Sequence, residues 1–519
     1  MKTKTNLKKA LAVMLVTLLA LTPLSLLSFA ADSIDLSGAT YYTFSDTNNA
    51  LTIKSAGTYV VSGTCSNGTI VVKKNVTGVT LVLNGLTLAA SATAPITCNK
   101  GSGVTIYAAA GTTNNLSDDQ YNNDDVYTDE TLYPDIENAV IKCKDGSNVT
   151  ICGTGTINVN AYGKNGIKGG ADLYEEDEDG NATDTLLSTA SLTIEDVTLN
   201  VSIKHSYKDP EDASAYDGDA IKSEKELNIL SGTVTVSAND DGIKCDYTLN
   251  IGAAGTTGPT IKVTKATEGI EGSVVNVYSG NVYVTASDDG INAAKGDIAD
   301  RSADFQYNQY GGYVYVNVTN GDGLDSNGSA TLAGGTLEVY APSQGDGDPI
   351  DTEFGCTLSG ATVLAVGHAM MQQSYSASTA YVTFGGSSGG FGGNNGSTLV
   401  SANSTIAIKD ASGNVIYTAK SSAPRAASYV VFTSPSLTNG SSYTLYNGST
   451  SAATATASTA STGGMGGPGQ GGQPGQGGPG HQGGFDNNTD SSTSNFFSFI
   501  SNFFQRILAF FRSLFGLNG

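Results

Sequence analysis

Apolar and polar residues alternate along the middle of the chain in runs of only a few positions, as in Leu249-Asn-Ile251, Ile261-Lys-Val263 and Thr336-Leu337-Glu-Val339. A period of two over so short a stretch predicts strands, and the Gly, Asn and Asp between the runs predict tight bends. Over this alternation lies a longer repeat: an acid or its amide, a small residue and an aliphatic anchor, then one exposed position and another small residue. It reads Asn165-Gly-Ile167-Lys-Gly169, Asp219-Ala-Ile221-Lys-Ser223, Asp241-Gly-Ile243-Lys-Cys245, Glu268-Gly-Ile270-Glu-Gly272, Asp289-Gly-Ile291-Asn-Ala293, Asp322-Gly-Leu324-Asp-Ser326 and Asp348-Pro-Ile350-Asp-Thr352, with a weaker copy at Ile141-Lys-Cys143. From Ile221 onward the anchors are 22, 27, 21, 33 and 26 residues apart, the period of one turn of a solenoid.

Three short strands per turn give an all-β fold, a right-handed parallel β-helix, in which equivalent residues stack at about 4.8 Å. Each sequence position of the repeat then becomes a column in space. Two places before the anchor the column runs Asn165, Asp219, Asp241, Glu268, Asp289, Asp322, Asp348; one place after it runs Lys168, Lys222, Lys244, Glu271, Asn292, Asp325, Asp351. In the first half, acids lie beside lysines and can pair with them.

The second half has lost its lysines. Of the eight column positions from Glu268 to Asp351, seven are carboxylates: Glu268, Glu271, Asp289, Asp322, Asp325, Asp348 and Asp351. Carboxylates stacked at strand spacing raise one another's pKa unless a cation sits among them, and hard oxygen ligands drawn from several turns suit Ca²⁺ better than the tighter Mg²⁺ octahedron. These residues are therefore the candidate Ca²⁺ ligands, with Ca²⁺ as the expected cofactor. The plain alternative is a solvated acidic edge that keeps neighbouring turns soluble.

At two places after the anchor the column is small throughout, and it holds Cys98, Cys143 and Cys245. That repetition predicts buried packing; a disulfide, if one forms, would join Cys98 to Cys143 on adjacent turns. No CxxC suggests zinc.

The ends divide the chain further. Lys2, Lys4, Lys8 and Lys9, an apolar run from Ala10 to Leu27 and Ser28-Phe29-Ala30 predict a cleaved secretion signal over 1–30, hence a secreted or cell-surface protein. The solenoid is expected over 31–397, with Thr52 to Gly63 closing its first end. A small antiparallel β module, including Tyr429-Val-Val-Phe432, is expected over 398–459. A Gly, Pro and Gln linker follows over 460–494, and 495–519 carries apolar residues at helical spacing, among them Phe496, Phe503, Ile507 and Phe511. Such an amphipathic helix needs a membrane surface, the cell envelope, another copy or the solenoid to cover it.

The formal charge is −22, which argues against nucleic acid as a partner unless cations bridge the two. Two acidic insertions, Asp118 to Glu137 and Asp172 to Asp184, are expected to leave the solenoid as loops, where insertions commonly carry binding surface.

The phrases DDGIKC, EGIEG, DDGINAAKG and GDGLDSNGSATLAGGTLEVYAP resemble a secreted clostridial family of carbohydrate-binding parallel β-helix proteins, similar in fold to pectate lyases of polysaccharide lyase family 9. The resemblance spans roughly Asp32 to Thr459 and implies binding of Ca²⁺, cellulose and polygalacturonate. Asp322-Gly-Leu-Asp325 is similar to the Asp-Gly-aromatic-Asp calcium signature of those lyases, with Leu324 in place of the aromatic residue. Asp289-Gly-Ile-Asn-Ala-Ala-Lys295 is similar to their Asp-Gly-Phe-Ala-Ala-Lys segment, whose lysine is the Brønsted base; here the lysine lies one residue later and the two segments occur in reversed order.

Three functions follow. In a non-catalytic binder, Ca²⁺ bridges protein and uronate carboxylates while Tyr278, Tyr283, Tyr310, Tyr313 and Tyr315 offer ring faces to sugars. In a Ca²⁺-dependent pectate lyase, Lys295 would be the base, with Lys244 the second candidate. A cell-surface adhesin would use the solenoid without a sugar ligand. Binding of acidic polysaccharide is the favoured expectation.

Overall fold

The computed structural model describes residues 34–177, 181–208, 217–295, 302–345, 347–368, 373–385 and 397–460. The expected signal segment, nearly all of the linker and the amphipathic helix lie outside the described residues. Among the described residues every regular element is a strand, and most of the strands belong to one continuous sheet.

That sheet is a set of three parallel ladders, because each short strand pairs with the equivalent strand of the turn before and the turn after. One ladder joins Ile96–Cys98, Ala139–Cys143, Asn165–Gly169, Ile221–Ser223 and the first part of Ile243–Ile251. A second runs through Gly103–Ala108, Asn148–Cys152, Ser191–Ile194 and Glu226–Ile229. Thr113–Ser117, Thr156–Ala161, Thr198–Ile203 and Thr233–Ser237 begin the third. Along many of these strands the residues alternate between buried and half-exposed, as in Thr198–Ile203, so the inward apolar set of one turn lands on that of the next.

The anchors fall in register as the repeat requires. Ile141, Ile167, Ile221, Ile243, Ile270, Ile291 and Leu324 pair turn to turn and are buried, and Ile350 meets Leu324 through an isolated bridge. The column continues upstream through Ile96 to Ile70. The small residue before each anchor answers to packing: a Cβ on Gly290 would clash with the Val316 side chain and the Gly323 carbonyl. All six cysteines carry free thiols, five of them buried, and Cys98 faces Cys143 in register, as the packing expectation has it.

Three local expectations change. The stretch from Thr52 to Gly63 is not a cap, since Ala50–Ile53 pairs with Thr69–Val72 and Gly57–Cys65 lies between Thr40–Phe44 and Val79–Ala89. The acidic insertion after Ala171 is not a bare loop, because Leu173–Glu176 and Ala182–Ser188 form an antiparallel hairpin. Tyr429–Thr433 does not join the small module; it lies antiparallel between Thr362–Gly367 and Tyr381–Gly385 in the main sheet.

The module itself is a four-stranded sheet of Ile406–Asp410, Val415–Thr418, Ser442–Asn447 and Thr450–Thr456. Ile406, Ile408 and Leu445 share a second core with Leu364, Val366, Phe384 and Phe432 from the last turns. Its attachment is also polar. The buried Glu338 carboxylate accepts hydrogen bonds from the Tyr313 hydroxyl at 3.0 Å, the Tyr417 hydroxyl at 2.6 Å and the Lys420 backbone N–H at 2.8 Å. A buried carboxylate so fully satisfied ties the module to the main sheet, since losing a donor would leave a buried polar group without water.

Candidate functional site

The acid column two places before the anchor has a structural use that its spacing alone does not reveal. A side-chain oxygen of one turn accepts the backbone N–H of the equivalent residue on the next: Asn165 Oδ1 from Asp219 at 3.0 Å, Asp219 Oδ1 from Asp241 at 3.3 Å, and Asp289 Oδ1 from Asp322 at 2.6 Å. Asp322 Oδ1 does the same for Asp348. The bend before each anchor leaves that N–H outside the strand ladder, and a short side chain with an oxygen at the γ carbon reaches it. The chain of bonds breaks at Glu268, and the buried Asp241 Oδ1 is left without a hydrogen-bond partner.

The neighbouring column divides into a paired half and an unpaired half. Lys222 Nζ lies 3.2 Å from Asp219, and Lys244 Nζ lies 2.7 Å from Asp241 and 2.9 Å from Glu271. Burial alone would lower the Lys244 pKa, but the Asp241, Asp219 and Glu271 carboxylates hold it well above the usual lysine range. Lysine pairing therefore extends one turn further than the sequence division, to Glu271.

Beyond Glu271 three carboxylates converge. Asp322, Asp325 and Asp351 each offer an oxygen, all within 4.8 Å of one another. Burial, then the neighbouring acids, pushes Asp322 up to about 9 and Asp325 up to about 8, with a hydrogen bond from Asp348 opposing in the first case. Neither forms an ion pair with a lysine or arginine among the described residues. Asp289 lies in the hydrogen-bonded column below them, its carboxyl raised to about 6 by burial. Asp348 is buried and gives its backbone N–H to Asp322. Glu268 groups with Asp241 and Glu271 instead, and its carboxyl, raised to about 9 by burial and then by Glu271 and Asp289, accepts a hydrogen bond from Asn292 at 3.1 Å.

The lysines named as bases are occupied. Lys295 lies with its ammonium 4.1 Å from the Tyr247 ring centre, a ring that Lys225 also approaches at 4.7 Å. Lys244 is locked between carboxylates, and a base must be neutral to take a proton. Of the tyrosines, Tyr278 stacks on Tyr310 at 5.3 Å, and Tyr283 and Tyr310 are exposed. Tyr313 is a correction: it is buried, and the Lys420 ammonium lies 3.7 Å from its ring centre. Tyr315 leans on Tyr340 and the core beneath the module.

With this geometry in place, the chain can be set beside known proteins. Residues 47–177 match a family model described as carbohydrate-binding domain-containing protein. Among solved structures the chain is similar to a polysaccharide lyase-like protein from C. thermocellum, described as a gadolinium derivative, at 20% identity and a TM-score of 0.31, covering 61% of this chain and 95% of that one. No curated protein matches.

Proposed function

We propose that this chain is a secreted or cell-surface binding protein for acidic polysaccharide of the polygalacturonate type, non-catalytic and dependent on Ca²⁺, built as a right-handed parallel β-helix. The observation that carries the reading is the convergence of Asp322, Asp325 and Asp351. Three carboxylates so close are costly when all are ionised, and their oxygens have the hardness and number on which a Ca²⁺ site is built. Asp322, Asp325 and Asp351 would hold the ion, with Asp289 fixing the backbone of Asp322 from the turn below. A bound Ca²⁺ supplies positive charge where an acidic protein meets an acidic polymer. The family match over 47–177 supports carbohydrate as the ligand class.

Catalysis has no comparable support, because Lys295 is stacked on Tyr247 and Lys244 is held protonated. The test is retention of the protein on immobilised polygalacturonate in Ca²⁺ and in chelator, with absorbance of unsaturated uronides followed in parallel. Retention in Ca²⁺ alone, with flat absorbance, is the expected result. Equal retention in chelator would remove the cation from the reading, and rising absorbance would make the protein a lyase.

A further inference from the structure

At the carboxyl ends of three strands in the third ladder, Thr113–Ser117, Thr156–Ala161 and Thr198–Ile203, the chain opens a cavity of about 600 Å³. The next residues, Asp118, Tyr162 and Lys204, line it, together with Gln120 and Tyr121 from the first acidic insertion and Ser206 and Tyr207 from the loop after Ile203. Its size suits a small ligand or one unit of a polymer.

The walls are preformed. Asp118 Oδ1 accepts the backbone N–H groups of Tyr162 at 2.6 Å and Gly163 at 3.2 Å, while Oδ2 accepts from Asn122 at 3.0 Å. Gly163 has no room for a side chain, since a Cβ would meet the Asn122 carbonyl and the Asp118 carboxylate. Asp119 is likewise turned to its own surroundings, accepting from Ala92 N at 2.9 Å, Tyr121 N at 3.1 Å and Ser91 Oγ at 2.6 Å. His205 is fixed by both nitrogens, Nε2 donating to the Lys164 carbonyl at 2.9 Å and Nδ1 accepting from Tyr207 N at 3.3 Å, and its ring stacks on Tyr207 at 5.0 Å. Tyr121 is braced by Tyr133, stacked at 5.6 Å, and by Tyr127.

What remains available faces the cavity. Tyr162 is 45% exposed, and the side chains of Gln120, Lys204 and Ser206 make no hydrogen bond or ion pair with the described residues. Lys204 also lines an adjoining groove of about 340 Å³ on the outer face of the same ladder. There Asn158 donates to Asn115 and Asn200 donates to Asn158, each at 2.9 Å, and Ser202, Thr235 and Ser237 continue the polar surface. Rows of amides and hydroxyls at strand spacing offer repeated hydrogen bonds to a polymer of hydroxylated units.

We infer that this cavity is a preformed subsite for one acidic pyranose, with Tyr162 and Tyr207 against its ring, Lys204 on its carboxylate and the neighbouring sugars along the asparagine groove. Lys204 supplies an ammonium at the cavity wall with no ion pair to a described acid, so it is open to a ligand carboxylate. Asp118, Tyr121 and Tyr162 belong to the stretch matched to the carbohydrate-binding family, whereas Lys204, Ser206 and Tyr207 lie beyond it. The inference rests on the carbohydrate-binding reading but not on Ca²⁺.

Calorimetric titration of the full chain with trigalacturonate in chelator tests it, with melting curves as the folding control. Tyr162→Ala is expected to weaken binding about tenfold, the loss of one ring contact. Lys204→Gln is expected to weaken trigalacturonate by about fivefold or more and to leave the carboxyl-reduced trisaccharide unaffected, as for one charge-assisted contact. Wild-type affinity in both folded variants overturns the subsite. So does failure of the wild type to bind trigalacturonate in chelator; retention on polygalacturonate in Ca²⁺ would then leave the broader function standing, and its loss there too would end both.

Discussion

Lys244 reaches across the gap between two turns to Glu271, 2.9 Å from its carboxylate, while holding Asp241 of its own turn at 2.7 Å. One ammonium thus serves two acids on adjacent turns and is the last lysine of its column. The next turns carry Asn292 and Asp325 at the same column position, so this column supplies no further positive charge.

Lys244→Met removes the shared cation and leaves Asp241 and Glu271 facing each other in a buried site. Breaking a buried pair from one side costs about 3–5 kcal/mol. The denaturant midpoint should fall accordingly with unchanged slope; a loss below about 1 kcal/mol would show the pair to be as dispensable as a surface one.

Stability without Ca²⁺ should decrease as pH rises. Asp322 and Asp325 have folded-state pKa values raised to about 9 and 8, above the ordinary 3.8. The folded protein therefore binds more protons than the unfolded chain between roughly pH 4 and 9, so the slope of stability against pH is negative there. In chelator the melting temperature should drop by about 2–5 °C from pH 5 to pH 9, and saturating Ca²⁺ should remove most of that drop by pairing the ionised forms. Parallel pH curves with and without Ca²⁺ would contradict it.

Asp322→Asn combined with Asp325→Asn relieves the same repulsion. The variant should melt at or above the wild-type temperature in chelator, yet show no Ca²⁺ shift and lose retention on polygalacturonate. At a hundredfold excess over the dissociation constant, the forfeited stabilisation is about 2.7 kcal/mol. Asp219→Asn should keep the Ca²⁺ shift, because its Oδ1 serves Asp241 N and its partner is Lys222.

Lys295→Ala should cost about 1 kcal/mol, the value of a half-buried ammonium on a ring. Polygalacturonate retention should be unchanged. A fall in uronide-releasing activity with this substitution would restore the lysine as a base.

The anchors and their register were legible because a repeated strand writes the same demand each time it recurs: Ile221, Ile243 and Ile270 pair in register and occupy one phrase in sequence. What each polar column does was less legible. Asp219 and Asp322 occupy equivalent positions, and each accepts the backbone N–H of its counterpart on the next turn, a use that spacing alone does not announce. The hairpin Leu173–Glu176 with Ala182–Ser188 and the strand Tyr429–Thr433 break the repeat, so no period announces them. The Tyr162 cavity joins Gln120 to Ser206, whose proximity depends on stacking rather than on local sequence.

Tyr429–Thr433 runs against the direction of the strands on which the rest of the stack is built. A parallel ladder is self-templating: its last strand presents the same pattern as its first, and copies could add end to end into a fibre. One reversed strand, bonded on both sides, separates Thr362–Gly367 from Tyr381–Gly385, and Tyr381 on that outer strand bridges to Ser458 instead of to a further repeat. At this end the edge of the ladder is thus met by the chain's own return, which leaves less of it open to a second copy.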